Sequence, residues 1–127
     1  MIMRRLLLVA VVVLSGCTTL QKWVPSFWDD NQANYIVQAR LDVERIDCTG
    51  TQVEQVQTVA DDLRKFQLYS ESKGFTQGDV LRVVEPMQAT TAEWVKRGKG
   101  STVYCQLKKQ LLTQQGERAA QVILGRW

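Results

Sequence analysis

Histidine is absent from all 127 residues. With it go the usual general base, the commonest metal ligand and every Ser–His or Cys–His nucleophile pair. Most hydrolase chemistry is therefore excluded, and the expectation is a protein that is not an enzyme. Carboxylates alone would have to carry a metal. The adjacent pairs Asp29-Asp30 and Asp61-Asp62 lack the alternating oxygen spacing of a calcium loop, so they read as helix capping or a solvated face. Glu44, Glu54, Glu71, Glu85 and Glu93 are scattered along the chain with nothing to pair two of them across a substrate cleft, and each reads as a surface glutamate. Gly98-Lys99-Gly100-Ser101 has neither the full glycine spacing nor the preceding strand of a phosphate loop and reads as a flexible turn. No cofactor and no small-molecule substrate is expected.

Strand signals are equally scarce. No Asn-Gly or Asp-Gly turn separates alternating segments, and no stretch beyond the N-terminus keeps period two between turn residues. Proline occurs only at Pro25 and Pro86. Long apolar runs are missing as well. The longest, Leu6 to Leu14, spans nine residues, about half of the roughly 20 that a membrane-spanning helix needs.

That short run follows Arg4 and Arg5 and ends in the small residues Ser15 and Gly16 before Cys17. Charged, apolar and small-residue regions in this order make a secretion signal. Leu14-Ser15-Gly16-Cys17 resembles the lipobox of type II signal peptides, which implies removal of residues 1–16 and acylation of Cys17. Thr18 stands where inner-membrane lipoproteins typically carry Asp, so the same resemblance implies the periplasmic face of the outer membrane. Three acyl groups exceed the two-chain threshold for stable attachment to a bilayer.

Removal of the signal takes Arg4 and Arg5 and no acid, so 16 basic against 13 acidic residues become 14 against 13. A balance so near neutral gives no reason to expect nucleic acid as a partner. The 111 residues that remain suffice for one small domain. In an oxidising periplasm Cys48 and Cys105 are expected to bond to each other. Closing a loop of about 58 residues stabilises a fold by roughly 4 kcal/mol in the chain-entropy model.

Residues 17–28 form the lipidated N-terminus and a tether without helical or alternating period. Trp23, Phe27 and Trp28 either lie in the headgroup layer or fold back over one end of the domain. The helical domain covers 29–127. Behind the capping candidates Asp29, Asp30 and Asn31, the apolar residues Tyr35, Ile36, Ala39, Val43 and Ile46 predict a helix over about 30–47. Thr51 and Glu54 fit a capping box opening a helix over about 52–73, with Gly74 as its stop and a turn to Gly78. A third stripe, Val80 to Val95, is interrupted by Pro86, which predicts a kink or split near Glu85. Ser101 or Thr102 caps the fourth helix, whose apolar positions are Val103, Tyr104, Leu107, Leu111, Leu112, Ala119, Val122 and Ile123. The expected fold is an all-α, small four-helix domain tied by one disulfide. Gly116, inside the last helix, permits close helix approach or marks a bend. Trp94, near a helix end, and Trp127, closing the chain, are the aromatics that would offer a surface to a partner if they are not packed inside.

The order of features resembles the pilotins of type II secretion systems: lipobox, short tether, and four helices with Cys48 (in Arg-Ile-Asp-Cys) after the first and Cys105 (in Thr-Val-Tyr-Cys) opening the last. That resemblance implies a groove between helices that receives an amphipathic helix of a secretin subunit. Ser26-Phe-Trp-Asp-Asp-Asn31, Leu68-Tyr-Ser-Glu-Ser-Lys-Gly74 and Tyr104-Cys-Gln-Leu-Lys-Lys109 resemble short lipoproteins of aquatic tailed phages. Those imply a role in host lysis, spanin-like, or in superinfection exclusion. Both point to a bilayer, held through acylated Cys17, and to an envelope protein as partners.

Overall fold

The computed structural model describes residues 27–73 and 77–126. The signal, the lipobox with Cys17, most of the tether, Gly74 and Trp127 lie outside the described residues. Four helices follow one another: α1 (Asp30–Glu44), α2 (Gln52–Ser72), α3 (Gly78–Arg97) and α4 (Thr102–Leu124), with no strand among the described residues. α1 packs against α2 and α4, and α3 against the same two. The start of α1 meets the end of α2 through Asn31 and Tyr69 (3.0 Å), and residues just before α3 and just after α4 converge there on Gln32. The order is thus up-down-up-down around one core.

The core is made by the apolar positions that recur every three or four residues. Ile36 and Val43 of α1, Leu63 and Phe66 of α2, Val84, Met87 and Trp94 of α3, and Leu112 and Ile123 of α4 are buried. Each such side chain contributes roughly 1.5–3 kcal/mol on leaving water.

α1 ends at Glu44, three residues before the predicted boundary, because Asp47 finds better partners outside a helix. Its backbone N–H donates to Gln55 Oε1 (2.7 Å), its carbonyl accepts from Gln55 Nε2 (3.1 Å), and its carboxylate accepts from Thr49 N (2.9 Å). Local side-chain bonds of this kind compete with helix propagation. Thr51 does stand at the N-cap of α2, but its side chain makes no capping bond, so the expected capping box with Glu54 does not form. Gln52 does the tying instead, donating to the carbonyls of Cys48 (3.0 Å) and Gly100 (3.2 Å) and accepting from Gly100 N (3.1 Å).

Of the kink or split predicted near Glu85, the split does not occur. α3 runs unbroken from Gly78 to Arg97 with Pro86 inside it. The proline removes the bond that would end on the Arg82 carbonyl, and both residues are on the exposed face. On an exposed face a freed carbonyl is open to solvent rather than buried, so the missing bond costs less than it would in the core. Gly98 ends α3 at φ +83° with its N–H on the Trp94 carbonyl (2.9 Å), a conformation suited to glycine. Ser101 then caps α4, its hydroxyl accepting from Tyr104 N (3.1 Å).

Cys48 and Cys105 are bonded, with their Cα atoms 5.7 Å apart. The disulfide joins the α1–α2 loop to the first turn of α4. In mid-molecule Gly116 lets α4 approach α1 and α3 closely: a Cβ there would lie 3.2 Å from Arg40 Cγ and 3.5 Å from Met87 Cε. α4 is continuous through it, so close packing rather than a bend explains the glycine.

Candidate functional site

Three places stand out from the core: a polar pole, a carboxyl pair and a groove. At the pole where the chain leads into α1, Asp29 is the N-cap and accepts from Asn31 N (2.9 Å) and Gln32 N (3.0 Å). It also accepts from Tyr69 Oη (3.0 Å) and from the Lys73 ammonium (2.5 Å). Partial burial opposes its charge, but the Lys73, Gln32 and Tyr69 donors outweigh that and bring the carboxyl to about 2. Behind it Gln32, fully buried, donates to Ser70 Oγ (2.8 Å) and Gln77 Oε1 (2.9 Å) and accepts from the Arg126 guanidinium (2.7 Å). Gln32 of α1 thus joins α2 to the residues just before α3 and just after α4. Phe27 and Trp28 are exposed beside it, Trp28 Nε1 donating to Asp30 (2.7 Å). They do not fold back to cover the pole.

Asp62 corrects the reading of the Asp61-Asp62 pair as a capping or solvated feature. It is buried on α2, and one of its carboxylate oxygens has no partner. Burial raises its affinity for a proton first, and Asp42 on α1 adds to that both as hydrogen-bond partner and as like charge, bringing Asp62 to about 7. Lys65 works in the other direction, Asp61 in the same. Asp42 itself is held by Gln38 Nε2 (3.1 Å) and Arg45 (4.0 Å). A buried carboxyl raised by burial and by a neighbouring acid on another helix makes a contact that responds to pH.

The groove runs between α2 and α3, with a volume of about 420 Å³. Ala60, Ala92 and Val95 supply its apolar floor; Arg64 and Lys96 stand on its walls. Gln88 Nε2 donates to Gln67 Oε1 (3.0 Å) and joins the two helices. Among the described residues, neither Arg64 nor Lys96 has an ion-pair partner. A concave apolar surface with two free cations suits an acidic, partly apolar ligand.

Trp94 does not serve as a surface aromatic. Its ring is fully buried, edge-on to Tyr104 (centroids 6.1 Å apart, planes at 88°), and its indole N–H has no partner. It fills the space between α3 and α4, where a large flat side chain gains most from burial. Trp127 lies outside the described residues. The five glutamates are all exposed, in keeping with their reading as surface residues. Neither Gln32 nor the Arg64–Lys96 pair was singled out from the sequence. A polar residue at a helical core position, three after the N-cap Asp29, is the only signal that points to Gln32.

Among the described residues no three or more Cys, Asp or Glu side chains group to hold a metal ion, and no helix is long and apolar enough to cross a membrane. The chain matches no protein-family model, no curated protein and no solved structure.

Proposed function

We propose that this chain is a bacterial-type lipoprotein, cleaved after residue 16, acylated at Cys17 and held on the periplasmic face of the outer membrane. Its helical domain is a non-enzymatic protein-binding module, and the α2–α3 groove receives an acidic amphipathic segment of another envelope protein. The observation that carries the binding reading is the pair Arg64 and Lys96, which face an apolar concavity with no ion-pair partner among the described residues. Other exposed cations among the described residues also lack an ion pair, and what sets these two apart is that both line one apolar groove, where they leave charge for a ligand to neutralise. The lipobox resemblance and the short tether support the anchor. The order of lipobox, tether and four cysteine-linked helices supports a pilotin-like role.

The polar pole bears on how such a module would be held. The tether enters beside Asp29, so that pole lies nearest the membrane, and the disulfide pole points away. The groove is then presented side-on to a neighbour in the envelope.

The test is photo-crosslinking in cells from a probe placed at Gln57 or Ala92, both on the groove. A secretin subunit recovered by mass spectrometry supports the pilotin-like role. A holin, endolysin, spanin or phage receptor recovered instead replaces it with the phage reading. If Arg64→Glu with Lys96→Glu leaves every crosslink in place, the groove is not the docking site. Labelled palmitate should enter the protein and be lost in Cys17→Ala; labelling that persists would overturn the anchor.

A further inference from the structure

Of the exposed large apolar side chains among the described residues, two are aromatic, and they are neighbours: Phe27, 71% exposed, and Trp28, 42% exposed. They are the last two residues before Asp29, the N-cap of α1, where the tether joins the helical domain. The other tryptophan among the described residues, Trp94, is fully buried. Trp28 is nonetheless held in place, because its Nε1 donates to Asp30 Oδ1 (2.7 Å) and fixes the ring beside the first turn of α1.

The charged groups that build this pole are answered within it. Asp29 accepts from Tyr69 and Lys73 as well as from the first turn of α1. Asp30 takes the Trp28 N–H, and the Arg126 guanidinium donates to Gln32 while standing in the field of Asp79 and Asp29. Polar groups that already have partners lose little on approaching a less polar medium. A tryptophan with its ring exposed and its N–H bonded gains there, which is why this side chain suits a boundary between water and lipid.

We infer, on the reading that Cys17 is acylated, that Phe27 and Trp28 rest in the headgroup layer of the bilayer that carries the chain, so that this pole lies on the membrane surface. Nine residues, 18–26, separate Cys17 from Phe27, and even fully extended they span only about 30 Å. The bilayer is therefore within reach of the two rings whatever protein the groove engages. A link that short also makes the contact intramolecular, at high effective concentration. Two aromatic side chains then suffice, although they would not by themselves hold a soluble protein on a membrane. Headgroup depth follows from what comes next in the chain. Asp29 and Asp30 directly follow Trp28, and acidic side chains enter hydrocarbon only at high cost, so the rings stop at the interface where aromatic belts lie. The exposed valines and leucines, by contrast, lie along α1, α2 and α4 and have no such link to a bilayer.

Fluorescence quenching in vesicles tests this. The acylated full chain, with Trp23→Phe and Trp127→Phe so that Trp28 and Trp94 alone emit, is reconstituted into phosphatidylcholine vesicles brominated near the headgroup, near the acyl ends or not at all. Bromine quenches a tryptophan that it touches; Trp94, buried in the bundle, supplies the background, measured in a chain that also carries Trp28→Phe. Most of the Trp28 emission should be lost with bromine near the headgroup, and less with bromine near the acyl ends. Phe27→Ser should lessen that loss with the helical circular dichroism unchanged, and a loss that it leaves intact overturns the joint contact. Equal emission in all three vesicles, from a chain that floats with them in a density gradient, would mean that the rings stay in water or are covered by protein; that overturns the inference and leaves the anchor standing. A loss greatest near the acyl ends would place the segment in hydrocarbon and also overturn it. A chain that does not float with the vesicles has no acyl anchor, and both readings then fall.

Discussion

At the scale of single residues, the two shifted carboxyls respond to pH with opposite signs. Asp29 is lowered in the fold from 3.8 to about 2, so it stabilises the protein above pH 3.8, and that stabilisation is lost as pH falls toward 2. Asp62 is raised from 3.8 to about 7, so the stabilisation it gives is full below pH 3.8 and is lost as pH rises through 7. Between these limits the protein should be most stable in mildly acid solution. Denaturant unfolding at pH 5 and pH 8 should show a loss of about 1–3 kcal/mol at the higher pH. Asp62→Asn keeps a donor toward Asp42 without a proton to lose, and it should flatten that difference. A variant with the same pH 5 to 8 loss as the parent would show that Asp62 is not its source. Neither this pair nor the buried Gln32 was legible in the sequence. A polar residue at a core position looks the same as one on the surface until the helices that supply its partners are placed, and Asp62 meets Asp42 across twenty residues of chain.

At the scale of elements, the sequence was far more informative. All four helices were legible, with boundaries within three residues, because capping residues and apolar spacing act locally. The departures have local causes too. Asp47 diverts the end of α1 into a turn, and Pro86 rests on an exposed face, where a missing helix bond costs less than in the core. Pro86→Ala should therefore raise stability, by about 1–3 kcal/mol, since the helix already continues through that point; a lower melting temperature would mean that the proline sets a bend the packing needs. Gly116→Ala is the companion case in α4. Its added methyl meets the flexible Arg40 stem at 3.2 Å, and it gains up to about 1 kcal/mol of helix propensity. A modest rise in melting temperature is expected, and a fall would show that Arg40 cannot yield. What apolar spacing did not reveal was that α4 has two apolar faces, one buried and one exposed. Val103, Leu107, Leu111 and Val122 read as one series with Leu112, Ala119 and Ile123, because a wide stripe and two adjacent stripes give the same count of apolar residues.

At the scale of the molecule, the bundle is tied differently at its two poles. One is held by the Gln32 amide and the Asp29–Lys73 pair, which weaken as solvent conditions change; the other is held covalently by Cys48–Cys105. Between them lie helices of 15 to 23 residues, joined sequentially by short loops. The bond spans 57 positions of the chain, most of the helical domain, so it restricts the unfolded chain strongly and should contribute roughly 4 kcal/mol. Cys48→Ser with Cys105→Ser, or reduction of the parent, should lower the melting temperature by roughly 10 °C or more. The loss has a direction: Gln52 holds the Cys48 and Gly100 carbonyls only while the two loops stay together. Amide exchange should therefore accelerate first in residues 45–55 and 98–105, while the amides of Gln32 and Ala33 at the opposite pole keep their protection. Exchange that rises equally at both poles would show that the bundle opens as one cooperative unit and that the disulfide stabilises it without defining an end.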